Sequence, residues 1–249
     1  LGKYPIFTLW KSQQLALEEG LLGENSLLVT MPTSAGKTRT VEFAIFQKLI
    51  ENPGSICAYV VPTRALASEV EDSLTKNLGR LDIGVSVLYG GYDFSYLEDD
   101  LLQDNRVFVL TPEKLDLLLR NNEKFKQNLS LVVIDEVHDA ASSNIRGFRQ
   151  ELIFSRLLYI AEKNNIKVIC ISAVLNNTDD FSSWVSGSNE NLIQADWRPT
   201  RQRVGFFRWP TGYGSNPRAQ VQYVPQSATE IPRERFILPF PFRRYSASI

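Results

Sequence analysis

The residues Thr33-Ser34-Ala35-Gly36-Lys37-Thr38 follow directly on the apolar run Leu27–Thr30. A strand, a tight loop of small residues and a helix opening at Gly36 make a cup of backbone N–H groups at the positive end of a helix. Such a cup favours an anionic phosphate. In that arrangement Lys37 reaches the β- and γ-phosphates of a nucleotide, and the Thr38 hydroxyl ligates Mg2+. The generic Gly-x-x-x-x-Gly-Lys-Ser/Thr pattern is met except at its start, where Met31 stands in the first glycine position, a place that need only pack. Gly-Lys-Thr after a strand also arises as a chance turn, so this reading needs a second element.

The run Leu131-Val132-Val133-Ile134-Asp135-Glu136-Val137-His138 supplies one. An apolar strand ending in two acids presents carboxylates at the carboxyl edge of a parallel sheet, where ligands of such folds bind. Asp135 can hold Mg2+ through a water, while Glu136 positions and activates an attacking water. Acids after strands are common on solvated edges, but two carboxylates downstream of a phosphate loop, each element following its own strand, argue against that bland reading. His138 is the single histidine of the chain. Lone histidines are usually structural, yet this one stands three residues past a metal-binding carboxylate.

These groups need a rigid scaffold, and the pattern of the chain describes it. Apolar runs at Leu27–Val29, Ile56–Val61, Val85–Leu88, Val107–Leu110, Leu131–Ile134 and Val168–Ile171 show little polar alternation, as strands buried on both faces do. Helical patterns at Thr38–Ile50, Arg64–Leu78, Glu113–Arg120 and Phe148–Asn164 alternate with them. Strand-then-helix order predicts an α/β fold, a mostly parallel central sheet with helices on both faces. The size of 249 residues accommodates one large domain or a domain with an appendage. Composition changes near Trp209: half of the twelve prolines lie from Pro210 onward, without helical periodicity. Residues 1–209 therefore read as the domain and 210–249 as an irregular Pro- and Arg-rich extension, in which 235–240 is apolar enough for an edge strand or a packed segment.

The net charge of −1 hides an asymmetry, because nine arginines and only Glu230 and Glu234 as acids follow from Arg198 onward. That gives +7 there and −8 before it. An arginine tail contacts phosphates, docks on an acidic partner or serves as a solvated linker. Cys57 and Cys170 each sit within an apolar run and read as buried free thiols. No apolar run approaches the roughly 18 residues of a membrane span, and the start lacks the features of a signal peptide. Together these point to the cytoplasm and to no membrane partner.

Asp-Glu-x-His at 135–138 resembles the second motif of the DEAD/DEAH-type superfamily 2 helicases, and the likeness extends in order over about the first two hundred residues. Pro62-Thr63-Arg64-Ala65-Leu66-Ala67 resembles motif Ia, Gly90-Gly91 the GG element, Thr111-Pro112-Glu113 motif Ib and Ser172-Ala173-Val174 motif III. Leu9-Trp10-Lys11-Ser12-Gln13 resembles the upstream Q-like element. Arg146-Gly147, Asn176, Trp184 and Arg198-Pro199 are similar to the Ski-like branch. The resemblance implies a P-loop, RecA-like first domain of an ATP-dependent nucleic-acid helicase or translocase, with ATP and Mg2+ as cofactors. It implies Thr33 to Thr38 around the phosphates, Gln13 on the adenine, and Thr38 and Asp135 at the metal. It further implies Thr63, Arg64, Gly90, Gly91, Thr111 and Pro112 against one DNA or RNA strand, with His138, Ser172 and Ala173 coupling the two sites.

Two departures bear on function. Val174 replaces the hydroxyl residue of motif III, which alters the expected coupling. No Gln-x-x-Gly-Arg-x-Gly-Arg pattern, the usual source of the second domain's arginine finger, occurs anywhere in the chain. The expectation is an ATP-binding half that hydrolyses slowly without its second RecA-like domain. An ATP-gated clamp without strand separation and a small-molecule phosphotransferase are the alternatives at this stage.

Overall fold

The computed structural model describes residues 8–88, 102–141, 144–173, 175 and 177–199, together with three short strands at 205–208, 220–223 and 235–237. The Val-, Ile- and Leu-rich runs pair as one seven-stranded sheet. Its strands are β1 (Leu27–Thr30), β2 (Ile56–Val60), β3 (Val85–Leu88), β4 (Val107–Leu110), β5 (Leu129–Ile134), β6 (Lys167–Ser172) and β7 (Leu192–Gln194), in the spatial order β3-β4-β2-β5-β6-β1-β7. Every pairing is parallel.

Successive side chains on a strand point to opposite faces, and each face has its own helices. Val29, Tyr59, Val109, Val133 and Ile171 pack on one side with α1 (Lys11–Glu18), α2 (Lys37–Glu51) and α3 (Arg64–Leu78). Leu28, Val60, Phe108, Val132 and Cys170 pack on the other with α4 (Pro112–Asn121), α5 (Glu123–Asn128), α6 (Ile145–Asn164) and α7 (Thr178–Ser186). Each fully buried apolar side chain contributes about 1.5–3 kcal/mol relative to exposure, so both layers anchor the sheet whose carboxyl edge carries the site.

The helix starts have local causes. Thr63 caps α3 by accepting from Leu66 N, and Thr111 caps α4 by accepting from Lys114 N, with Pro112 as the first helical residue. The Asn144 side chain accepts from Gly147 N at 2.8 Å. That cap starts α6 at Ile145, three residues before the apolar periodicity that the sequence reveals. The remaining predicted helices agree with α2, α3 and α4 to within one residue at each end.

The chain divides into two compact units, residues 1–199 and 200–249. In the second, β8 (Gly205–Arg208), β9 (Gln220–Tyr223) and β10 (Arg235–Ile237) form an antiparallel sheet in the order β10-β9-β8. The sequence reads as irregular here because the partners are far apart along the chain: Phe206 pairs with Gln222, and Phe236 with Val221. The apolar stretch from Arg235 contributes an edge strand. Among the described residues, no helix is long and apolar enough to cross a membrane.

Candidate active site

Because all the strands are parallel, the segments leaving β1, β2, β4, β5 and β6 emerge along the same carboxyl edge. In the order β2-β5-β6-β1, the phosphate loop after β1 and the acids after β5 flank the exit of β6. Residues 99 positions apart thereby become neighbours: Lys37 Nζ lies 2.7 Å from Glu136 Oε1.

The phosphate loop is held from several directions. Met31, in the unusual first position, is buried, pairs its N–H with Ser172 O at 3.0 Å and accepts at Sδ from the Thr40 hydroxyl. Thr33–Ala35 form a single 3-10 turn, and Gly36 then takes the left-handed conformation, φ 80° and ψ 38°, from which α2 begins at Lys37. The first-turn amides of a helix have no acceptors within it, so the start of α2 presents donors to the loop. The Ser12 hydroxyl donates to Ala35 O at 3.1 Å, which ties α1 to this loop. Gln13 is buried, and its Oε1 accepts from Trp10 N at 3.0 Å. A Cβ placed on Gly36 would stand 2.8 Å from Gln13 Nε2 and 3.3 Å from the Trp10 ring. Trp10 in turn packs against Trp197, ring centroids 5.9 Å apart. The Q-like element and the phosphate loop are thus in direct contact. Ser34 is exposed and Ala35 is buried; the Thr33 side chain lies outside what the structure describes.

On the acidic side, Asp135 N donates to Val60 O at 2.8 Å, extending the β2–β5 ladder by one step. Both Asp135 oxygens are engaged: Oδ1 accepts from Glu136 N at 2.9 Å and Oδ2 from the Tyr59 hydroxyl at 3.0 Å. Burial holds the Asp135 carboxyl above its ordinary pKa, with Lys37 pulling it down and Glu136 pushing it further up. Glu136 sits at φ 50°. Its Oε2 is buried, lies 3.2 Å from His138 Nδ1 and accepts no hydrogen bond. The same Nδ1 is 3.0 Å from Ser172 Oγ, so His138 bridges the end of β5 to the end of β6.

One ammonium therefore faces two carboxylates, one of which keeps an unmet acceptor, beside a helix N-terminus that opens at a left-handed glycine. These residues fit a phosphate–metal ligand: Lys37 and the loop amides suit the anion, and Thr38 and Asp135 offer oxygens to a hard cation.

Thr63 and Thr111 cap their helices along the same edge, and Arg64 is exposed. Pro62 and Pro112 line one narrow cleft with Asp135 and Glu136, together with Gln150 and Phe154. The Arg146 guanidinium donates to Pro62 O, pinning the loop before α3 to the start of α6. Ala173 directly follows β6. Gly90, Gly91, Val174 and Asn176 lie outside the described residues.

Sequence reasoning passed over Tyr59. The available signal for Tyr59 was a hydroxyl-bearing ring inside an otherwise apolar run that leads to the edge. Ser12 is named in the sequence only as part of the Q-like element, because its bond to Ala35 O depends on tertiary packing.

A model of the DEAD/DEAH box helicase family matches residues 10–181. This chain belongs to the DEAD/DEAH box helicase family. The helicase chain is 38% identical over 203 residues to the Hachiman protein HamB of Bacillus cereus, covering 82% of this chain and 18% of that protein. It is 36% identical over 199 residues to the ATP-dependent DNA helicase Hel308 of Pyrococcus abyssi, covering 80% of this chain and 26% of the relative. The chain thus spans between about a fifth and a quarter of the length of these relatives. The crystal structure of the DUF1998 helicase MrfA bound to DNA superposes with a TM-score of 0.66 at 23% identity, over 78% of this chain and 28% of that one. That likeness identifies the fold of the helicase domain as RecA-like.

Proposed function

We propose that this chain is the ATP-binding motor domain of a DNA helicase, holding ATP–Mg2+ on the loop before α2 and one DNA strand along the carboxyl edge of the sheet. The observation that carries the reading is the convergence of Lys37 and Glu136 at 2.7 Å, beside an Asp135 carboxylate fixed at both oxygens. Lys37 binds the β- and γ-phosphates in exchange for Glu136, which is thereby released to orient a water and accept its proton. The Thr38 hydroxyl and Asp135 hold the metal, which when bound neutralises charge on the phosphate oxygens. Gln13, beside Gly36, recognises the adenine. His138 and Ser172, 3.0 Å apart, couple the end of β5 to the end of β6, and Ala173 continues that connection.

Thr63, Arg64, Thr111 and Pro112, with Gly90 and Gly91, contact phosphates of the strand, which positions it without reading sequence. DNA is the proposed polymer because the relatives that match this chain at about a third identity or more include ATP-dependent DNA helicases. The motor domain, read from sequence as residues 1–209, is better drawn at the first compact unit, 1–199, because β8 pairs with β9 in the second; the chain beyond leads toward a second RecA-like domain that supplies the missing arginine, worth about 10³–10⁵ in rate in comparable ATPases. Arg146-Gly147, Trp184 and Arg198-Pro199 support the Ski-like branch, and the cytoplasm is the proposed compartment.

The test is equilibrium binding of a fluorescent ATP analogue with Mg2+, and of single-stranded DNA, to the purified chain. Lys37→Ala is expected to abolish nucleotide binding, Glu136→Gln to retain it, and Arg64→Ala with Thr111→Ala to weaken DNA binding several-fold. Nucleotide binding unchanged by Lys37→Ala would overturn the site. Brisk DNA-stimulated turnover by the chain alone would overturn the need for a second domain.

A further inference from the structure

One buried hydroxyl in the site belongs to none of the motifs that define it. Tyr59 is the fourth residue of β2 and is 0% exposed, its ring packed in the layer under α2 and α3. A phenylalanine would fill the same volume without bringing a polar atom indoors. A buried hydroxyl has to be paired, since leaving it unbonded costs about 1–3 kcal/mol. Here the pairing is specific: the Tyr59 hydroxyl donates to Asp135 Oδ2 at 3.0 Å, while Glu136 N occupies Oδ1 at 2.9 Å. The two donors fix the plane of the carboxylate and the direction of its remaining lone pairs. The phenol of β2 therefore braces the carboxylate that the proposed site assigns to the metal, at the residue directly after β5.

We propose that Tyr59 is a positioning residue for the metal-binding carboxylate of Asp135, holding its plane in register for a Mg2+-bound nucleotide. The inference rests on the proposed nucleotide site and adds to it a residue that touches neither nucleotide nor DNA. Groups that orient metal ligands from behind typically change metal affinity by about 10- to 100-fold when removed. Tyr59→Phe deletes the donor to Asp135 and keeps the ring.

The experiment compares the affinity of the chain for a fluorescent ADP analogue with Mg2+ and with EDTA, in the unsubstituted protein, Tyr59→Phe, Asp135→Asn and the double variant. The unsubstituted chain is expected to bind more tightly with Mg2+. Tyr59→Phe is expected to lose about ten-fold of that increment with metal-free affinity unchanged, and to add nothing further in the Asp135→Asn background. A merely structural role would lower both affinities together. If the unsubstituted chain shows no Mg2+ increment, the nucleotide–metal site itself fails. If the increment is present and survives Tyr59→Phe within two-fold, the role of Tyr59 fails and the site stands. Should Tyr59→Phe not fold, the Cζ resonance of Tyr59 in the ¹³C-tyrosine-labelled unsubstituted chain decides: it must shift when Mg2+ is added to the nucleotide-saturated protein, and no shift overturns the proposal.

Discussion

Gly36→Ala is a direct probe of how the loop before α2 is built. Gly36 holds φ 80°, a conformation that costs an L-residue about 1–2 kcal/mol. An added Cβ would also lie 2.8 Å from Gln13 Nε2 and 3.3 Å from two carbons of Trp10. The glutamine end is flexible and moves away, but in doing so it releases the bond from Trp10 N to Oε1, now 3.0 Å, worth about 1 kcal/mol. The sum is a loss of about 2–3 kcal/mol. Gly187→Ala provides the control, because Gly187 has a similar φ of 71° at the end of α7 and nothing within 4 Å of the added carbon. That variant incurs the backbone cost alone, about 1–2 kcal/mol, so Gly36→Ala is expected to lose about 1 kcal/mol more. Urea unfolding of the two variants, with equal m-values, measures the difference. Nucleotide affinity is expected to fall in Gly36→Ala and to stay unchanged in Gly187→Ala. Equal destabilisation by both substitutions would refute the contact between the Q-like element and the phosphate loop.

Lys167 gives a pH dependence. It is buried at the start of β6, donates to Leu21 O at 2.6 Å and to Gly23 O, and burial, helped by Lys48, lowers its pKa from 10.5 to about 8. A depressed lysine costs stability in full where both states are protonated, below about pH 8. Between about pH 8 and 10.5 the unfolded chain holds more protons, so stability rises with pH, by on the order of 3 kcal/mol in all. Lys167→Met is expected to remove that rise, measured as urea unfolding at pH 7.5 and 9.5; an unchanged pH profile would refute the assignment. The thiols give another expectation. Cys57 and Cys170 are fully buried, and burial raises both, Cys57 to about 12. Iodoacetamide at pH 8 should leave the folded chain unlabelled and modify both residues once it is unfolded in urea, a result that mass spectrometry reads directly.

The sheet was legible because its strands are buried on both faces: Val107–Leu110 and Val168–Ile171 admit no polar alternation to confuse the pattern. The P-loop lysine, the paired acids and the family were legible because their chemistry needs fixed residue types at fixed spacing. Elements shaped by tertiary context were not. β7 (Leu192–Gln194) is three residues long, too short for any period to register, and exists because β1 leaves an open edge. The second unit is held by strand pairs distant in sequence, which local composition cannot encode. Gln13 and Gly36 could each be named from the chain, but their contact depends on how α1 lies on the loop.

The least legible feature is the backbone of Glu136. Two exits from the sheet carry the chemistry, and both pass through the left-handed region, Gly36 at φ 80° and Glu136 at φ 50°. Glycine takes that conformation without strain, whereas a glutamate there is disfavoured by about 1 kcal/mol or more. A turn alone would be better served by glycine at 136. Instead the position keeps a carboxylate, and a second unfavourable feature coincides with the first: Oε2 is buried with no hydrogen bond. The bonds that oppose these costs, Glu136 N to Asp135 Oδ1 and Lys37 Nζ to Oε1, leave Oε2 with only the His138 ring nearby, 3.2 Å away at Nδ1. Strain and an unmet acceptor on one residue are what a functional site retains against stability. A donor arriving at Oε2 removes the second cost, and in the proposed mechanism that donor is the water to be activated.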